Sequence, residues 1–148
     1  MFVRPLSFDE HTAFEIRCRA AGMCSSTLCL PEPPGHVFVF EEEEMIKGWI
    51  ITVPALDREN RGLLCSVWVE PPFRGKGVAC ELIQSALVWA MENQMDAIEL
   101  WVRETNRSAR RLYLQFGFRE TGRMRTPEGS EKDQAVHMIY PIPEPIAA

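Results

Sequence analysis

Val67-Trp68-Val69-Glu70-Pro71-Pro72-Phe73-Arg74-Gly75-Lys76-Gly77-Val78-Ala79 changes conformational character twice within thirteen residues. The apolar run ends at a proline pair, which cannot continue a central strand. A glycine-rich turn follows, and a helical pattern begins at once. The predicted order is strand, loop rich in free backbone N–H groups, helix N-terminus. The first N–H groups of a helix lack intrahelical partners and carry partial positive charge. The stretch therefore predicts an anion cradle, and phosphate is the anion it suits.

Periodicity extends this reading toward the C-terminus. Val78, Leu82, Ile83, Ala86, Leu87 and Ala90 fall at helical spacing and predict an amphipathic helix ending near Asn93. Residues 62–69 and 97–102 read as buried strands, apolar on both faces. Strand, helix, strand implies a right-handed crossover and parallel pairing. Asn106 can cap a second crossover helix, with Ala109, Leu112, Tyr113 and Phe116 as its inner stripe and Gly117 as its stop. Residues 118–124 and 134–140 predict two antiparallel strands joined by the polar segment 125–133.

Toward the N-terminus, residues 3–6 predict a strand, and Ser7 or Asp9 can cap a helix over 8–21. Residues 22–35, with Pro31, Pro33 and Pro34, read as a flap over a site. Residues 36–41 and 45–53 predict a hairpin. Its turn carries Glu41 to Glu44, either a solvated tip that blunts edge pairing or a cation attractor. Residues 57–62 read as a polar loop, and the proline-rich tail from Pro141 as loosely packed.

At 148 residues and 46% hydrophobic, the chain suits one α/β domain over 1–148 with a real core. A net charge of −5 disfavours nucleic acid as a partner. No apolar run approaches the roughly 20 residues that span a bilayer, so a cytoplasmic protein without a membrane segment is expected. The five cysteines Cys18, Cys24, Cys29, Cys65 and Cys80 are odd in number and scattered, which argues against a disulfide framework or a metal set. Cys80, in a first helical turn, reads as either a reactive thiol or a small packing residue.

Two blocks of this chain resemble the GNAT superfamily of acyl-CoA-dependent N-acetyltransferases. Arg74-Gly75-Lys76-Gly77-Val78-Ala79 is similar to its Arg/Gln-x-x-Gly-x-Gly/Ala signature, and follows a strand ending Val-x-Pro. Residues 106–118 are similar to its Asn-x-x-Ala-x-x-Leu-Tyr-x-x-x-Gly-Phe motif. The resemblance covers residues 62–140 well and the first 60 only in outline. It implies a mixed sheet of six or seven strands with helices on both faces and two splayed central parallel strands.

The resemblance implies acetyl-CoA as co-substrate, no metal, and direct transfer to a primary amine, on a small molecule or a protein. Val67, Trp68, Val69, Arg74, Gly75, Lys76, Gly77, Val78, Ala79 and Asn106 are then the candidates for holding coenzyme A. Backbone groups of Val67 and Val69 would pair with the pantetheine arm, and Tyr113 would protonate the departing thiolate. Arg74 can either supply charge or anchor the loop. Many relatives dimerise, so a homodimer is expected too. The last third is most similar to acetyltransferases of ribosomal-protein N-termini, which carry a glutamate base where this chain has Trp101. Glu70, Glu99, Glu120, His137 and a water chain are the remaining candidates for deprotonating the amine. Trp49, Trp68 and Trp101 read as either core packing or a wall for the acceptor. A non-catalytic acyl-CoA-binding module is the alternative function.

Overall fold

Seven strands form one mixed sheet in the computed structural model, which describes residues 2–6, 10, 36–55, 60–126 and 133–143. The strands are β1 (Phe2–Pro5), β2 (His36–Glu42), β3 (Met45–Pro54), β4 (Arg61–Val69), β5 (Ala97–Arg103), β6 (Arg119–Arg125) and β7 (Ala135–Pro141). Their spatial order is β1-β2-β3-β4-β5-β7-β6. Among the described strands only β4 and β5 pair in parallel, and the crossover between them is α1 (Val78–Glu92). A second helix, α2 (Arg107–Phe116), joins β5 to β6. These elements match the predicted strands, hairpin and crossovers. The helix expected over 8–21, the flap over 22–35 and most of the segment 125–133 lie outside the described residues.

Alternation along the strands sorts side chains into two clusters on opposite faces. One holds Phe40, Ile50, Leu64, Ile98, Leu100 and Met138, covered by Leu82, Ile83 and Ala86 of α1 and by Tyr113 of α2. The other holds Leu6, Val37, Val39, Trp49 and Ile51, with Trp68 packed against it. Both described helices therefore cover the same face. The expectation of helices on both faces rests on the segment before β2.

Trp89, three residues past Ala86 and seven past Leu82, extends the α1 stripe and is buried in the first cluster. Two details depart from the expected pattern. Cys65 is exposed rather than buried in a two-sided strand. Ile51 pairs with Ser66 and Thr52 with Leu64, so Cys65 is the inserted residue of a β-bulge. And β7 lies between β5 and β6, covering the outer edge of β5. At the hairpin turn, Glu43 and Glu44 hold φ of 52° and 63°. Glu41 instead binds Arg4 at 2.9 Å, so one glutamate of the run is a strand-to-strand ion pair.

Gly62 lies under Trp89. A Cβ there would meet Cζ3 of the indole at 2.7 Å and the Met95 sulfur at 3.1 Å. Gly62→Ala is predicted to destabilise the fold by about 1–3 kcal/mol through overpacking. The check is a lower urea midpoint at unchanged m-value.

Candidate active site

Pairing between β4 and β5 runs from Arg61↔Ala97 to Leu64↔Leu100 and then stops. Beyond that point β4 keeps only β3, through Val67↔Ile50, Trp68↔Trp49 and Val69↔Gly48. β5 keeps only β7, through Trp101↔His137 and Val102↔Val136. Two strand edges thus face each other across a gap. This is the splay that the resemblance implied.

The orientation of the β4 backbone follows from one hydrogen bond. The Glu70 amide donates to the Lys47 carbonyl at 2.8 Å, toward β3. Successive residues of a strand aim their N–H and C=O groups at opposite edges. Val67 and Val69 therefore turn theirs into the gap. The Val69 carbonyl is taken by Nε of Arg74, which donates to it at 2.7 Å. That leaves the Val69 amide as a donor aimed into the gap.

After β4, a short 3-10 turn (Pro71–Phe73) carries the chain into the glycine loop. Gly75 and Gly77 hold φ of 77° and 84°, a region open to glycine and costly for most residues. A Cβ at either would meet nothing within 4 Å. Backbone conformation and open approach, not packing, are what glycine supplies here. Gly77 is the N-cap of α1 and has no side chain to cap it. The amides of the first α1 turn are therefore available to an anion.

A cavity of about 500 Å³ joins the gap, the glycine loop and the start of α2. Val67, Trp68, Val69, Arg74, Gly75, Gly77, Val78, Ala79, Asn106 and Tyr113 line it. Of the predicted set, Lys76 does not; its ammonium sits 5.6 Å from the centre of the Phe73 ring. Phe73, Cys80, Ser108 and Leu112 also line the cavity. Phe73 lies in the loop stretch, Cys80 in the first helical turn, and Ser108 and Leu112 within the second motif, so each stood beside a predicted position. Asn106 accepts a hydrogen bond from the Ala109 amide at 3.3 Å, so it caps α2 while facing the cavity.

Tyr113 is buried, with its ring edge-on to Phe118 at 5.6 Å. Burial pushes its hydroxyl up to about 12, because the phenolate would be poorly solvated there. The group is a protonated donor at any physiological pH.

Among the described residues, the four candidates for deprotonating an amine all have partners. Glu70 lies 3.6 Å from Lys47, and Glu120 lies 2.6 Å from Arg110. Glu99 and His137 are buried and approach each other to 3.1 Å, with Arg61 at 3.4 Å on the same carboxylate oxygen. Thr121 Oγ1 meets the other imidazole nitrogen at 2.8 Å. None of the four lines the cavity. The tryptophans divide as well: Trp49 stacks on Trp68 at 4.6 Å, whereas Trp101 packs on His137 at 4.8 Å. The described residues contain no group of three His, Cys, Asp or Glu side chains placed to hold a metal ion. They contain no helix long and apolar enough to cross a membrane.

The chain is similar to known proteins in sequence and in fold. The family described as "Acetyltransferase (GNAT) family" matches residues 4–118. An uncharacterized N-acetyltransferase of Archaeoglobus fulgidus is 40% identical over 57 residues, covering 38% of this chain. The chain spans only 39% of that relative's length. The crystal structure of the ribosomal-protein-S18-alanine N-acetyltransferase from Escherichia coli aligns with a TM-score of 0.78 at 20% identity, over 95% of this chain and 93% of that one. An aminoglycoside 6'-N-acetyltransferase complexed with coenzyme A aligns with a TM-score of 0.81 at 12% identity, over 98% and 99%. At these identities the two structures establish a shared fold.

His137→Ala would leave the Glu99 carboxylate buried with Arg61 as its one remaining partner. A loss of about 2–4 kcal/mol in unfolding free energy is predicted. The paired replacement Glu99→Leu with His137→Leu should cost less than the two single changes summed, as a double-mutant cycle in urea would reveal. Simple additivity would mean that the pair carries no coupling.

Proposed function

The chain belongs to the GNAT acetyltransferase family, and on that premise we propose that it transfers an acetyl group from acetyl-CoA to a primary amine by direct attack in a ternary complex. The observation that carries this reading is the open β4–β5 edge, with the Val69 amide on one side, a helix N-terminus at one end and the Tyr113 ring in the same cavity. The residues suit the donor. Amides from Gly75 to Ala79 would hold the pyrophosphate, with Arg74 fixing the loop instead of acting as a free charge. The free edge of Val67 and Val69 would take the pantetheine arm as an added strand.

In the transfer step the amine nitrogen forms a bond to the thioester carbonyl carbon, and the carbon–sulfur bond breaks. The Val69 amide stabilises the developing oxyanion. The amine proton leaves to solvent, and Tyr113 faces the departing sulfur. A thiol near 8.5 is a stronger acid than a hydroxyl at about 12, so full proton transfer to the thiolate runs uphill. Tyr113 therefore acts mainly as a hydrogen-bond donor to sulfur, with solvent completing protonation.

The reading takes residues 1–148 as one cytoplasmic acetyltransferase domain that needs no metal; a homodimer is part of the same proposal. Family coverage of residues 4–118 supports the domain assignment. The two aligned enzymes act, by name, on a ribosomal-protein alanine and on an aminoglycoside, so the fold accommodates protein and small-molecule amines alike. A non-catalytic acyl-CoA-binding module is the second reading, favoured by the absence of a carboxylate or imidazole from the described cavity wall. Release of free coenzyme A against an amine panel separates the two.

Tyr113→Phe is predicted to lower kcat about 10- to 100-fold with little change in acetyl-CoA affinity. In the wild type, kcat should rise with pH as the amine loses its proton. It should show no falling limb until pH nears the tyrosine's value of about 12. Unchanged turnover in Tyr113→Phe would remove the tyrosine from the chemistry. Gly77→Asp should weaken acetyl-CoA binding more than 10-fold by calorimetry, since it sets a carboxylate at the proposed pyrophosphate site. Equal affinity would refute the cradle.

A further inference from the structure

We propose that Arg123 and Arg125, stacked on Trp101, bind an acid group on the acceptor, so that the amine acetylated here carries a carboxylate. The inference rests on the acetyl-transfer reading and names the substrate class for it. The guanidinium carbon of Arg125 lies 4.5 Å from the centre of the Trp101 ring, and that of Arg123 lies 5.4 Å from it.

Position is the first argument. Trp101 is the first β5 residue past the last β4–β5 pair, Leu64↔Leu100. Strand alternation puts its side chain on the face away from α1, because Leu100 and Val102 belong to the cluster that α1 covers. The glycine loop that would hold the donor's phosphates lies at the start of α1. The arginines thus stand at the mouth of the gap, on the other face from the proposed donor groove. The charge of Arg125 is also felt on β4: burial raises the Cys65 thiol, and Arg125 opposes that rise.

Charge is the second argument. Two carboxylates are carried on β5, β6 and β7, and both have partners: Glu99 with Arg61 and His137, Glu120 with Arg110. Among the described residues, Arg123 and Arg125 form no ion pair. The doublet is a positive site of exposed guanidiniums in a chain of net charge −5, with Arg103, itself paired with Asp133, in register beyond Ala135. Stacking holds each fork in place while leaving its N–H edges open, the arrangement that favours bidentate binding of a carboxylate. A bare cationic amine is repelled there. Trp101 is consequently no open wall for a substrate cation, since arginines already occupy its ring.

β6 is shaped for this. Three residues, Thr121, Gly122 and Arg123, bulge out opposite His137, and Gly122 takes φ of 87°. Thr121 bonds to His137 from this bulge, which ties the strand down just before the two arginines.

The test uses the full chain with saturating acetyl-CoA and reads free coenzyme A release. Acceptors are matched pairs: aspartate with asparagine, glutamate with glutamine, and tetrapeptides carrying Glu or Gln at the second position. The amino-acid pairs and the peptide pairs distinguish a small molecule from a protein terminus. At least one acidic member should exceed its neutral partner 10-fold in kcat/KM. Arg123→Gln with Arg125→Gln should erase that preference through KM, with acetyl-CoA affinity intact by calorimetry. Equal use of both members, preference for the neutral ones, or a preference that survives the double variant overturns the proposal. If acetyl-CoA binds and no amine is acetylated, the transfer reading fails by itself. Glutarate titration then still decides the anion site: binding weakened 10-fold in the double variant supports it, and no binding to the wild type overturns it.

Discussion

The loss of pairing between β4 and β5 after Leu64 and Leu100 is the constraint on which the rest of the structure depends. Parallel strands joined by a crossover helix would ordinarily pair along their whole length, because each unpaired buried backbone group costs about 1–3 kcal/mol. Here the β4 residues that stop pairing, Val67 to Val69, line a cavity instead. The bulge at Cys65 coincides with the end of pairing. Arg74 satisfies the Val69 carbonyl, which would otherwise face the gap beside the loop unpaired. β7 occupies the far edge of β5, so that strand is held on one side while its other side stays open. The gap is a supported feature, with every neighbouring element arranged to keep it.

The two faces of the sheet carry different work. Helices α1 and α2 bury the apolar cluster and bring a helix N-terminus, Asn106 and Tyr113 to one side of the gap. Around β5 to β7 the opposite face, apolar elsewhere, carries polar groups: Glu99 with His137 and Arg61, then Trp101 beneath two arginines. Alternation alone produces this division, since neighbouring β5 residues point to opposite faces. The proposed donor and acceptor thus approach one opening from two sides that differ in chemistry as well as position.

Much of this was legible in the order of residues. Apolar period marked the strands and both helices, and the glycines with Asn106 marked the loop and the second helix start. What escaped depended on packing between distant segments. The insertion of β7 between β5 and β6 is a choice of edge that no local pattern encodes. Trp89 lies on the helical stripe, three residues past Ala86 and seven past Leu82, but the room for its large ring comes from Gly62 on a distant strand. Arg74 read equally as a charge for phosphate or an anchor, and only the 2.7 Å bond to Val69 decides for the anchor. Lys76 is turned aside by the Phe73 ring, a neighbour three residues away that spacing alone could not favour. The four candidates for a base looked alike in sequence, and their partners Lys47, Arg61 and Arg110 lie on other elements.

With all four carboxylate and imidazole candidates engaged elsewhere, the amine's proton has to be handled differently. A base is needed only in proportion to the fraction of amine that arrives protonated. Under the proposed acceptor site, two guanidiniums beside the amine would disfavour its ammonium form, because a like charge lowers an amine pKa. The same arginines would hold the acid group of the substrate by its charge. Neutralising that carboxylate matters too, since an unscreened one beside the amine would raise its pKa and slow attack. An anion site at the mouth of the gap therefore performs two tasks in the proposed reaction: it selects the acceptor, and it delivers more of it in the neutral, nucleophilic form. In the proposed reaction solvent would take the proton that remains, and a glutamate at the position of Trp101 would oppose both effects by pairing with the arginines.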